Sequence, residues 1–257
     1  MSLRQLVIAA ITAAALSGVF AGPAGATHSW GGYHWARTTA NPFTVDVGDN
    51  VPPVWDAYLD TALADWSADT EGNPLNARKV VGTSGGRKCP ARSGRVEVCN
   101  YAYGRNGWLG IASISITGSH ITAATTKLND TYYSQTYYNK PAWRGMVVCQ
   151  ELGHDWGLDH QDESGADFQT CMDYASSPDA DNMHPNLHDY QELSAIYFHL
   201  DSSTTISSTS TTSARSKGLK RIDDDTYVED FGNGRKRLVH VLWVDRQAEH
   251  RQAPEGA

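Results

Sequence analysis

The sequence predicts an α+β fold, and three observations carry that prediction. A segment of helical period spans 52–67, strand-type segments follow one another between 78 and 128, and two further helical segments begin near Pro141 and His188. In the first helix Asn50 is suited to cap, Pro52 and Pro53 suit the opening turn, and Val54, Leu59, Ala62, Leu63 and Trp66 fall near one face. A first strand is expected near Phe43. Short strand pieces follow at Arg78 to Val81 and Arg95 to Tyr101 within a stretch rich in Gly, Asn, Ser and Arg. Trp108 to Ile116 and His120 to Leu128 read as two strands joined by the turn Thr117-Gly118-Ser119, although Ile111, Ser113, Ile114 and Ile116 alternate imperfectly. Tyr132 to Tyr138 reads as a Tyr-rich loop. In the last helix, His188 to His199, the residues Leu193, Ile196, Tyr197 and Leu200 recur at helical spacing.

The organisation beyond these elements follows from composition. Residues 1–26 have the form of a secretory signal peptide: Arg4, the apolar run Leu6 to Leu16, then Ala24-Gly25-Ala26 before Thr27. The run is too short to span a bilayer, so an exported chain without a transmembrane segment is expected. A main domain is expected over 27–201, a Ser/Thr-rich linker over 202–220, and a C-terminal hairpin and tail over 221–257. The hairpin pairs Thr226 to Phe231 with Arg237 to Val244 across Gly232-Asn233-Gly234. With 21 basic against 29 acidic residues and a net charge of −8, the chain is unsuited to neutralising phosphates, which argues against nucleic acid. Its 19% charged and 40% hydrophobic residues are those of a globular chain.

The chemistry concentrates in Cys149-Gln150-Glu151-Leu152-Gly153-His154-Asp155-Trp156-Gly157-Leu158-Asp159-His160. On a helix, positions 150 and 154 stand one turn apart on the same face, with Glu151 beside them. Gly157 is suited to end the helix at positive φ and turn the chain back, so that His160 reaches the same ion from outside. A carboxylate next to a metal is placed to take a proton from water that the metal has acidified.

This pattern resembles the signature of the metzincin clan of zinc metalloendopeptidases, and Cys171-Met172-Asp173-Tyr174 looks like the clan's Met-turn. Weaker likeness to the matrixin branch extends over about residues 30–200, through Tyr33-His34-Trp35, Ala64-Asp65-Trp66-Ser67 and the last helix. The resemblance implies an α/β/α sandwich-like domain with a twisted mixed sheet, an active-site helix and Met172 below the metal. It also implies a secreted endopeptidase with one catalytic Zn2+, His154 and His160 as ligands, Glu151 as general base and polypeptides as substrates. Extended substrate would add to the strand Trp108 to Ile116. The alternative is a catalytically inactive peptide-binding module on the same fold. A monomer is expected.

The chain departs from the family at its first metal-binding histidine, where Gln150 stands. Three outcomes are open: Gln150 binds zinc through its amide oxygen, Tyr174 completes the site as an additional ligand, or the site is metal-poor. Asp155, Asp159, Asp162, Glu163 and Asp167 form an acidic group that would suit Ca2+ or a solvated surface. His120, His184, His188 and His199 lie apart from the motif and read as surface or packing residues. Trp30, Tyr33, Trp35 and the Tyr132–Tyr138 aromatics would line a peptide cleft or pack the domain. No cysteine lies between Thr27 and Phe43, so an N-terminal cysteine inhibitor is unsupported. Export favours disulfides for the four cysteines, and of three connectivities the local one, Cys89–Cys99 with Cys149–Cys171, is expected.

Overall fold

The computed structural model describes residues 28–40, 42–174, 177–209, 216 and 218–245. The expected signal peptide and the end of the tail lie outside them, as do positions 210–215 of the linker. The described chain is mixed α+β. Strands β1 (His34–Trp35), β2 (Phe43–Asn50), β3 (Leu75–Val81), β4 (Val96–Tyr101), β5 (Trp108–Thr117) and β6 (His120–Asn129) are accompanied by helices α1 (Pro53–Trp66), α2 (Asp130–Tyr133), α3 (Pro141–Asp155) and α4 (Leu187–Ile196). Strands β7 (Leu219–Arg221), β8 (Thr226–Gly232) and β9 (Arg235–Trp243) complete one sheet in the order β3-β2-β4-β6-β5-β9-β8-β7, with β1 beside β6. The β3-β2-β4-β6 half is parallel and the β6-β5-β9-β8-β7 half antiparallel.

Helix α1 forms where the spacing predicts, but Pro52 is its N-cap. The Asn50 amide is taken up by Gly48 O, Glu97 and Val98 O, and its oxygen accepts from Ser84 N. Trp55 rather than the exposed Val54 joins Leu59, Leu63 and Trp66 in the core. Helix α3 begins at Pro141, whose missing N–H costs nothing in a first turn, and is buried along almost its whole length from Trp143 to Asp155. Hydrogen bonds from the indoles of Trp66 and Trp35 to Cys149 O and Asp155 O, both 3.0 Å, hold its second half. The Tyr-rich stretch packs inward instead of looping out: Tyr132, Tyr133 and Tyr138 are buried. At the end of α4, Tyr197 is buried and Leu200 is exposed.

In β5, Gly110, Ala112, Ile114 and Ile116 face inward and Ile111 lies half-buried on the opposite face, which accounts for the imperfect alternation. The larger correction concerns its edge. Strand β5 is not free to receive a substrate, because β9 pairs with it antiparallel from Trp108↔Trp243 to Thr117↔Arg235. The C-terminal hairpin is therefore a continuation of the sheet, and β7 already starts at Leu219 within the expected linker. Cys89 bonds Cys99 and Cys149 bonds Cys171, with Cα–Cα distances of 6.0 and 5.8 Å. Among the described residues, no helix is long and apolar enough to cross a membrane.

Candidate functional site

Helix α3 carries Gln150, Glu151 and His154 on its buried second half, and all three side chains are sealed from solvent. Gly157 then takes φ 98°, and a Cβ there would collide with Tyr33 O, so glycine is required both for the turn and for the close approach. The turn returns His160 to the face of His154, with ring centroids 5.0 Å apart. Met172 lies below: a Cβ on Gly153 would meet its sulfur.

The third imidazole comes from β9. His240 stands opposite Ala112 of β5, with its ring 4.0 Å from that of His154 and 4.7 Å from that of His160. The Nε2 atoms of His154, His160 and His240 are all buried and none has a hydrogen-bond partner. One ligand atom from each of these residues lies within 4.8 Å of the others. Two of the rings are held from their far side. His154 Nδ1 lies 2.9 Å from Leu158 O, and His240 Nδ1 lies 3.2 Å from Glu151 Oε2. Leu158 O draws the proton of His154 to Nδ1 and leaves its Nε2 with the lone pair, the arrangement in which a second partner orients a metal-binding histidine, whereas His240 stands between two carboxylates, with Asp225 Oδ2 3.8 Å from its Nε2. Space for this comes from small residues of β5: a Cβ on Gly110 would strike Glu151 Oε1 and Val147.

The electrostatics differ from ring to ring: His154 is held neutral, whereas His240 carries a proton that a metal would have to displace. Burial, reinforced by charge on His240 and His160, pushes His154 well below its ordinary value and keeps it neutral, the form that binds metal. Burial raises the Glu151 carboxyl, offset in part by His240. Burial disfavours charge on His240, but Glu151 and Asp225 outweigh it and raise the group to about 9. Three imidazoles in a sealed pocket, next to the carboxylates of Glu151 and Asp225, form a donor set suited to zinc.

The other expected residues take different places. Gln150 turns its amide nitrogen to Cys171 O and Asp173 O at 2.9 and 2.8 Å, while its oxygen has no hydrogen-bond partner. The Tyr174 ring lies 5.2 Å from that of His160, its hydroxyl accepts from Trp243 N at 3.2 Å, and burial raises it to about 12. Trp30 is buried against the His154 ring. The acidic residues disperse: Asp155 is buried on Thr126, Asp162 holds Ser164 and Asp167 holds Gln169 N, which leaves Asp159 and Glu163 beside His160. His184 pairs with Asp65 and His188 stacks on His28, whereas His120 and His199 meet at Asp201.

Sequence reasoning missed His240. Its signal was a polar residue on the inward face of a strand, between Leu238 and Leu242, which are 5% and 1% exposed. No protein-family model matches the chain, and no curated protein matches it.

Proposed function

We propose that this chain is a secreted, zinc-dependent endopeptidase whose metal is held by His154, His160 and His240, with Glu151 as the proton-transferring carboxylate. The observation that carries the reading is the convergence of three buried imidazoles, each offering a ligand atom within 4.8 Å of the others, beside Glu151 and Asp225. A zinc ion there would supply Lewis acidity, polarising a peptide carbonyl and acidifying water. The two oxygens of Glu151 divide the remaining work. Oε2 orients His240 through Nδ1, and Oε1, which has no hydrogen-bond partner, is left to accept a proton from water and pass it to the leaving amine. Gly110 and Ala112 keep the adjoining stretch of β5 low enough for Glu151 to lie against it. Strand β9 supplies His240 and also covers the edge of β5 on which an extended peptide would pair, so a substrate would have to reach the site without that pairing.

That cover also favours a second reading, a catalytically silent metal-binding module. Zinc content and casein cleavage separate the two. The endopeptidase reading expects zinc bound by the wild type, lost from this site on His154→Ala with His160→Ala, and cleavage reduced about 10²–10⁴-fold in Glu151→Gln with zinc retained. Zinc bound here without any cleavage by the wild type would establish the silent module, and a site that holds no zinc would remove the endopeptidase.

A further inference from the structure

We propose a second transition-metal site, built by His34, His199 and Asp201 with His120 beside Asp201, which clamps the first strand to the segment after the last helix. It shares no residue with the centre on α3. Asp201 Oδ1 lies 3.1 Å from His120 Nε2, 3.4 Å from His34 Nε2 and 3.6 Å from His199 Nε2. The two ring nitrogens of His34 and His199 face each other at 3.3 Å. Around a tetrahedral zinc with zinc–nitrogen bonds of about 2.0–2.1 Å, neighbouring donor atoms stand about 3.3–3.4 Å apart. The three spacings among His34, His199 and Asp201 lie close to that edge length, and His120 adds a fourth contact to Asp201.

The donors are also prepared for the task. His34 Nδ1 lies 2.9 Å from Gly32 O, which fixes the proton on Nδ1 and turns the lone pair of Nε2 into the cluster. Asp201 Oδ2 accepts from Arg37 N at 2.9 Å, and Asp201 N donates to Arg37 O at 2.8 Å, so Oδ1 is held in place for another partner. His34 and Asp201 have side chains only 7% and 8% exposed, against 32% and 36% for His120 and His199. The site is thus walled by the protein on one side and open to an arriving ion on the other. Imidazoles with one carboxylate select zinc or its borderline neighbours over calcium and magnesium, which prefer oxygen.

The location explains what such an ion would do. Strand β1 has only two residues, and its pairing with β6 consists of His34↔His120 and Trp35↔Ile121. So short a pairing is weak on its own. A metal bridging His34 and the chain after α4 would hold β1 in place and anchor the start of the linker, where Thr204 and Thr205 bond to Ala36.

The test counts zinc in the full-length chain after removal of metal and titration against a chromophoric chelator. The wild type should bind one more zinc ion than His199→Ala or Asp201→Asn, and in both variants affinity at this site should fall more than about 100-fold, beyond the cost of losing an outer-shell partner. Asp201→Asn preserves the shape of the side chain and His199 is the most exposed donor, so circular dichroism should report an intact fold in both. Replacement of zinc by Co2+ in the His154→Ala, His160→Ala chain should give the visible absorption of a tetrahedral cobalt site, which His199→Ala abolishes. Unchanged zinc stoichiometry and affinity in both His199→Ala and Asp201→Asn would overturn the proposal, as would a wild-type chain whose bound zinc is lost entirely with His154 and His160. A wild-type chain that binds only one ion, kept in the His154→Ala, His160→Ala chain and lost in His199→Ala, would uphold this site while removing the endopeptidase reading.

Discussion

Gln150 braces the segment around Met172 from within α3. Its amide nitrogen donates to two carbonyls, Cys171 O and Asp173 O, on either side of Met172. An imidazole at that position has too few N–H groups to hold both carbonyls and also present a lone pair to a metal. Gln150→Met preserves the length of the side chain and removes both donors. It is expected to cost about 1–3 kcal/mol for buried carbonyls left unpaired, read as a lowered urea midpoint, with zinc content unchanged. Loss of zinc in that variant would make Gln150 a ligand through its oxygen instead. Of the site's residues, those on α3 and its turn were legible because Glu151, His154, Gly157 and His160 act within one local stretch whose spacing is dictated by helix geometry. Gln150 was legible as an anomaly, but its partners were not, since a hydrogen bond to a distant carbonyl leaves no periodic trace.

At the scale of elements the hairpin β8–β9 changes the account of the site most. Deleting 219–257 removes His240 and uncovers β5. Zinc affinity at the α3 centre is expected to fall more than about 10-fold, by chelator competition, and the bared edge to drive self-association, by light scattering. Full zinc affinity in the shortened chain would show that His154 and His160 suffice without β9. The strands themselves were readable from their turn residues and apolar content: β5, β6 and the hairpin appear within a residue or two of their expected bounds. Their partners were not, because alternation reports which face is buried and says nothing of which strand lies alongside. The pairing of β5 with β9 bridges the whole of α3, α4 and the linker, so no short-range signal announces it.

For the whole molecule, buried carboxyl groups set the response to pH. Glu192 on α4 is 3% exposed, and burial raises its carboxyl above the ordinary value, offset in part by His28. The folded state therefore favours the protonated form. The stability this contributes is complete below the unfolded value, about 4.3, and is lost as pH rises through the folded one. Glu192→Gln keeps the shape without the charge. Its thermal midpoint should exceed that of the wild type at pH 7.5, and the difference should shrink at pH 4. Equal differences at both pH values would assign the effect to packing. Neither the burial of Glu192 nor the meeting of three histidines at Asp201 could be read from the chain, since both depend on how α4 and β1 close over the sheet.

The position of His240 within the chain also bears on when the centre comes into being. His154 and His160 are synthesised well before it. The pocket on α3 stays one imidazole short until the last strand has been made and has found β5. On the proposed reading, competence to hold metal waits for the last strand to be made.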